Sequence, residues 1–484
     1  MASVFSANRH PRPDKRNEAT MKVLLIEPPK KIWELMGGNC ISPPLGLAYL
    51  AAALEQEGIE VDILDCNASG VSWSELEDFI GEARPDVVGA SAMTPFFHRA
   101  LGAARAAKRA NPNIVTVLGG PHVTFTAEET LLEHPEVDVV VRGEGERILV
   151  DLVRCLKGQG DLAMVRGIAF RRDGQVVQTP QPPPLDVNAL PLPAYHLLPM
   201  HRYVFTVFGK FTTILASRGC PFRCTFCSEW RFWGGRWRPR DPEMVVEEME
   251  LLNRKYGRQC FWFGDDCFNV DGEHMRRICE GILRRGLDVS WYYQGRADLV
   301  IKYKDLLPLM RRAGNLMVQI GVESSTDEEL SRFRKRLTTD QVREAVELLR
   351  ENDIVCQGLI IVGTRDDDPR SIMHKVRYAK RLDLDFPIFT MYTPFPGNEV
   401  YERAKAEGWL EVRDYSKYDM AHAVMPTEHL TRRQLISWYY WCFSNYYLDP
   451  VKLAKGLFSR NEWKRRIWRH MLTYIGKQIV RSWF

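Results

Sequence analysis

From Lys22 onward, short apolar runs rich in β-branched residues alternate with stretches whose apolar positions recur every three or four residues. KVLLIE (22–27) leads into GLAYLAAALEQEG, EVDILD (60–65) into SELEDFIGEARP, and DVVGASA (86–92) into HRALGAARAAKRANP. TVLGG (116–120) then leads into AEETLLEHP, and DVVVRGEGE closes the series at 138–146. Short β-branched runs separated by helical patterns predict five strands in a parallel, doubly wound α/β sheet. Such sheets bind ligands at the carboxyl ends of their strands. Here those ends carry Glu27-Pro28-Pro29, Asp65, Ser91 to Thr94, Gly119 to His122 and Gly143 to Glu146.

The pattern breaks at QTPQPPPLDVNALPLPAYHLLP (178–199), where proline prevents helix continuation and favours extended chain. A second βα series follows, with runs at TTILAS, QCFWFGD, VSWYYQG, LMVQIGV, VCQGLIIVG and FPIFTMY. Six such units predict a partial (β/α)6 barrel with its chemistry at the strand C-termini. The expected organisation is a disordered 1–20, a sheet domain over 21–150, a linker region over 151–205, the partial barrel over 206–400 and a helical, basic region over 401–484. No transmembrane span is expected, since the apolar run from Leu45 to Leu54 is too short to cross a bilayer.

With 66 Lys+Arg against 62 Asp+Glu, the near-balanced charge names no nucleic-acid partner. The polar N-terminus and eleven scattered cysteines point to a reducing, cytoplasmic setting. Three of those cysteines carry the chemistry. After the first strand of the second series comes Cys220-Pro-Phe-Arg-Cys224-Thr-Phe-Cys227. An iron–sulfur cubane takes four thiolates, so three leave one iron open to another ligand. A structural zinc site closes with four Cys or His. The next candidates in sequence, Cys260 and His274, lie more than thirty residues on.

This CxxxCxxC loop resembles the signature of the radical S-adenosylmethionine (SAM) enzymes. The resemblance implies a [4Fe-4S] cluster held by Cys220, Cys224 and Cys227, SAM chelated to its open iron, and an electron donor such as flavodoxin or ferredoxin. It also implies SAM contacts. Phe226 would face the adenine, and Gly264, Asp265 and Asp266 would stand where the family often has Gly-Gly-Glu for the methionyl ammonium. Arg296 of GRAD would pair with the carboxylate, and Glu323 with Ser324 of GVESS would take the ribose. Gly358 and Ile361 of GLIIVG would flank the base.

In the first sheet no GxGxxG follows the first strand, so a dinucleotide site is not indicated. The arrangement instead resembles the cobalamin-binding domain that precedes many radical SAM cores. On that resemblance the cobalamin contacts fall on Pro43, Pro44 and Leu45, Asp65, Ser91, Met93 and Thr94, Gly119, Gly120, His122 and Val123, and Gly143 with Glu144. The cobalt-ligating Asp-x-His-x-x-Gly of other cobalamin proteins is not matched, because Asp65 to Gly70 has Asn67 in place of His. A cobalt without a protein ligand is therefore expected.

The resemblance extends more loosely to the branch containing the anaerobic magnesium-protoporphyrin monomethyl ester cyclase. The function it implies is C-methylation of an unactivated carbon in a hydrophobic small molecule, tetrapyrrole or lipid-like. Oxidative ring formation without methyl transfer is the alternative, and a non-catalytic cobalamin sensor or carrier would not need the cysteines. Trp230, Phe232, Trp233 and Trp237 are candidate walls for an apolar substrate. No acid or base is assigned, with Tyr292, Tyr293 and Tyr392 near strand ends. From Val451 to Phe484, nine Lys or Arg face one Glu, with Trp463, Ile467, Met471, Ile475, Ile479 and Trp483 at spacing four. That tail reads as a basic amphipathic helix, docked on the barrel or lying on an anionic membrane.

Overall fold

The computed structural model describes residues 21–29, 42–205 and 207–483, with the side chains of 474, 475 and 477–483 outside the described set. The expected disordered segment at 1–20 also lies outside it.

The first sheet has seven strands in the order β2-β1-β3-β4-β5-β6-β7. Strands β1 (Lys22–Glu27), β2 (Glu60–Asp65), β3 (Val87–Ser91), β4 (Val115–Gly119) and β5 (Val139–Val141) are parallel, as their apolar runs predict. Helices cover both faces, and each face has its own core. The order reverses between β1 and β3, which opens the ligand crevice at that point of the carboxyl edge.

Two strands were not expected. An antiparallel hairpin, β6 (Ile168–Arg172) and β7 (Gln175–Gln178), extends the sheet from β5. The first domain therefore continues to about residue 178, and the helix Gly145–Lys157 crosses the expected boundary at 150. Only the proline-rich stretch is a connector. Tyr195 ties it to the barrel by donating to Glu248 at 2.5 Å, and just beyond it Tyr203 donates to Asp65 of the first domain at 3.0 Å.

The second sheet contains six parallel strands in the order β15-β14-β13-β12-β11-β8. These are β8 (Phe211–Ile214), β11 (Cys260–Phe263), β12 (Ser290–Gly295), β13 (Asn315–Glu323), β14 (Val355–Val362) and β15 (Phe386–Met391), which match the six predicted runs. Between β8 and β11 a two-residue antiparallel ladder pairs β9 (Ser217–Arg218) with β10 (Arg238–Pro239). The cysteine loop and the aromatic cluster lie on the excursion that this ladder closes.

The C-terminal region is helical only in part. After the helix Glu399–Ala406, a stretch with one short 3₁₀ turn at Tyr415–Lys417 runs to the helices Arg432–Tyr447, Pro450–Leu457 and Glu462–Trp483. Of the two settings expected for the tail, its described residues adopt the docked one. Ile467, Trp468 and Met471 are buried in the barrel core, and Trp463 packs on Phe208. No helix among the described residues is long and apolar enough to cross a membrane.

Candidate functional site

The cysteine loop leaves β9 through Gly219, whose φ is +86° and where a Cβ would run into the Arg236 carbonyl. Only glycine fits both conditions. Cys224 and Cys227 are joined by a Cys227 N–H to Cys224 O bond of 3.2 Å. The loop is braced from behind by Thr225 N–H donating to Phe333 O at 3.1 Å, and by the Arg296 guanidinium stacked 3.9 Å from the Phe222 ring. Burial pushes the Cys224 and Cys227 thiols up, while Cys220 is lowered to about 7 by a hydrogen bond from Cys267.

Cys267 is a neighbour that sequence distance concealed. It lies forty residues beyond Cys227, yet the turn after β11 brings it to Cys220, so a fourth thiol stands beside the loop. GDDC at the end of an adjacent strand was the available signal. Among the described residues no three His, Cys, Asp or Glu side chains are close enough to enclose a metal ion. The fit to an iron–sulfur cluster therefore rests on the donor set: three thiols on one braced eight-residue loop, with the buried cations Arg296 and Lys335 lowering Cys220 and opposing the burial of Cys224.

The strand ends around this loop carry the other expected residues, in roles more structural than expected. Gly264 is pressed against Thr213, and Asp265 is fully turned inward, accepting from Ala216 N–H at 3.0 Å and from the Ser217 hydroxyl. Burial raises its carboxyl to about 6. Asp266 meets the Glu229 carboxyl, and burial first, then mutual repulsion, pushes Asp266 well above the usual range. Arg296 is committed to Asp298 at 2.9 Å and to Lys335 O at 2.6 Å. Glu323 adopts φ +57° at a bulge in β13 and accepts from Lys335 Nζ at 2.6 Å. A Cβ at Gly321 would overlap this pair, so glycine there makes room for it.

Ser324 is buried and donates to Glu329 at 2.5 Å. Gly358 and Ile361 are interior positions of β14, and a Cβ at Gly358 would meet Leu384. Phe226 packs edge-on against Phe333 and joins a small cluster with Tyr392 and Met425. Tyr293 is buried in the barrel core, and Tyr292 stacks on Trp262.

Across the interface, the first sheet presents its carboxyl edge. Pro43 is buried, Pro44 precedes the helix that begins at Leu45, and Val123 is buried. Gly120 has φ +99°, and a Cβ there would stand 2.9 Å from Ser91 Oγ, so the Gly119-Gly120 turn lies flat against the β3 loop. Met93 is 52% exposed on this edge, an apolar side chain offered to a ligand. Gly143 N–H donates to Thr124 at 2.9 Å.

His122 is buried between Phe97 and Tyr415, with Nδ1 on Thr94 at 3.2 Å and a buried Nε2 lacking a hydrogen-bond partner. Burial lowers it to about 3, so it is neutral. Asp65 caps the short helix Cys66–Ser69, accepting from Asn67 and Ala68 N–H. Glu144 is occupied by Arg218 and Arg238. The flat glycine turn, the exposed methionine and the orphaned Nε2 fit an extended ligand such as a corrin with its tail.

Residues 40–153 match the B12 binding domain family, and residues 214–376 match the Radical SAM superfamily. An uncharacterized methyltransferase of Pyrococcus horikoshii is 34% identical over 91% of this chain and 95% of its own length. The anaerobic magnesium-protoporphyrin IX monomethyl ester cyclase of Rubrivivax gelatinosus is 33% identical over 86% of this chain and 75% of its own. Hopanoid C-3 methylase of Methylococcus capsulatus is 30% identical over 79% and 72%. In fold, the chain is similar to the radical SAM methyltransferase TsrM of Kitasatospora setae, solved with cobalamin and a [4Fe-4S] cluster. The TM-score is 0.72 at 20% identity, over 95% of this chain and 99% of that one. It is also similar to OxsB, a cobalamin-dependent SAM radical enzyme, with a TM-score of 0.75 at 18% identity over 94% and 71%.

Proposed function

This chain belongs to the radical SAM enzymes that carry a B12-binding domain, and on that premise we propose that it methylates an unactivated carbon of a hydrophobic small molecule. One observation carries the reading. A cysteine-loop barrel and a cobalamin-type sheet edge are packed against each other within a single chain, so one site can hold a source of carbon radicals beside a methyl donor.

When bound, the [4Fe-4S] cluster with SAM supplies a hydrogen-abstracting radical, and cobalamin supplies a methyl group. The chain's own residues do the rest. Cys220, Cys224 and Cys227 would hold the cluster, and the Arg296–Phe222 stack with the Thr225–Phe333 bond keeps their loop in one place. The Glu323–Lys335 pair offers a fixed dipole beside that loop, with Lys335 Nζ 6.0 Å from the Phe226 ring. Gly119, Gly120 and Met93 form the seat opposite. Trp230, Phe232 and Trp233, on and beside the helix Glu229–Phe232, supply apolar surface that excludes water from the reacting carbon. The electron enters from a one-electron donor protein of the flavodoxin or ferredoxin kind.

With SAM bearing a deuterated methyl group, the anaerobic, cobalamin-loaded enzyme is expected to give labelled product, with S-adenosylhomocysteine and 5′-deoxyadenosine in equal amounts. Conversion of the true substrate to product without label would overturn the methyltransferase reading and favour oxidative cyclisation. The 33% identity to the cyclase makes cyclisation the second reading.

A further inference from the structure

Arg218 and Arg238 are direct cross-strand partners on the ladder that closes the cysteine excursion. Two like charges facing each other on a ladder repel. Here both are gripped by carboxylates of the first domain. Arg218 Nη1 donates to Glu144 at 3.0 Å and its Nη2 to Glu146 at 2.6 Å, while Arg238 Nη1 donates to the second Glu144 oxygen at 2.8 Å. Arg218 is 6% exposed, and its guanidinium lies over the rings of Tyr49 and Trp233, one from each domain.

Glu144 immediately precedes the helix Gly145–Lys157, and Glu146 stands in its first turn. The carboxylates therefore sit where the helix dipole favours negative charge and are held by a rigid element. Arg218 is two residues from Cys220. The planar fork of its guanidinium presents two separate arms to the two carboxylates in a rigid geometry, whereas an ammonium is a point charge with three rotatable donors. A buried ion network of this kind adds little net stability compared with apolar packing, but it does specify one arrangement of the groups it joins.

We propose that Arg218 is a positioning residue that sets where the cysteine loop stands relative to the carboxyl edge of the first sheet, and so couples radical formation to methyl transfer. This rests on the methyltransferase reading for its catalytic consequence. The placement itself does not depend on it.

The test uses the full chain with Arg218→Lys, and Glu146→Gln as the milder second variant. Hydrogen exchange on the protein without cofactors is expected to quicken in both 143–157 and 218–238. With cofactors loaded, iron and cobalamin contents are expected to stay at wild-type levels while 5′-deoxyadenosine formed per labelled methyl rises at least about tenfold, because misplacement by about 1 Å costs on the order of 100-fold in rate. An unchanged ratio with unchanged exchange overturns the proposal. So does loss of the cluster in both variants, since Arg218 would then hold the loop together instead of placing it. If the wild type gives no labelled product, the methyltransferase reading fails on its own, and the exchange measurement still decides the role of Arg218. If Arg218→Lys does not fold, Glu146→Gln decides it.

Discussion

Four thiols near one loop raise the question of which ones hold iron. Anaerobically purified protein is expected to carry about four irons per chain, to lose them when Cys220, Cys224 and Cys227 are replaced by Ala, and to keep them in Cys267→Ala. Metal analysis reading zinc, or iron loss in the Cys267 variant, would contradict the assignment. His122 gives a pH-dependent test at the same scale. Its folded form resists a proton down to about pH 3, whereas the unfolded chain takes one near 6.5. Stability is thus complete above 6.5 and falls with acid, by about 2 kcal/mol at pH 5. His122→Asn should remove that slope in urea unfolding of the protein without cofactors, read at pH 7 and pH 5. The cysteines were legible because their spacing is itself the chemistry. Asp65, Glu144 and Arg296 were legible only as charges, since each is claimed by a partner far away in sequence: Tyr203, Arg218 with Arg238, and the Lys335 carbonyl.

All eleven predicted strands are present, because most are apolar runs buried on both faces and need no partner information to be seen; the edge strand β2, with Glu60 exposed, is the most polar of them. The β6–β7 hairpin was missed for the opposite reason. It is half polar, and its signal was the turn Asp173-Gly174, both residues with positive φ as a tight hairpin requires. A comparable turn constraint at the mouth of the cysteine loop yields a prediction. Gly219→Ala must move the β9–β10 ladder or accept the left-handed conformation and the overlap with Arg236, costing about 1–3 kcal/mol. Lower iron content and a reduced melting temperature are expected. A variant with wild-type values of both would show that the ladder does not need glycine there.

The barrel floor is finished by the helix Glu462–Trp483, where Trp468 donates to the Asp385 carbonyl at 3.0 Å and lies against Gly456. Trp468→Ala is expected to lose about 3–5 kcal/mol, seen as a lower denaturation midpoint. Flotation with anionic vesicles should show no difference between this chain and one lacking the helix, since Ile467, Trp468 and Met471 are buried in the barrel core. Tyr415 comes from beyond the barrel yet lands in the first domain, against Phe97 and His122 and within 3.3 Å of Glu129, while Gly397 lies against Phe125. Among the described residues the two domains are thus stitched at several places, including the proline-rich connector, Arg218 and this returning stretch. Anyone wishing to retarget the enzyme by recombining it with a relative would find no single cut point, because a foreign first domain must arrive with a cleft shaped for a tyrosine that the recipient encodes almost three hundred residues later.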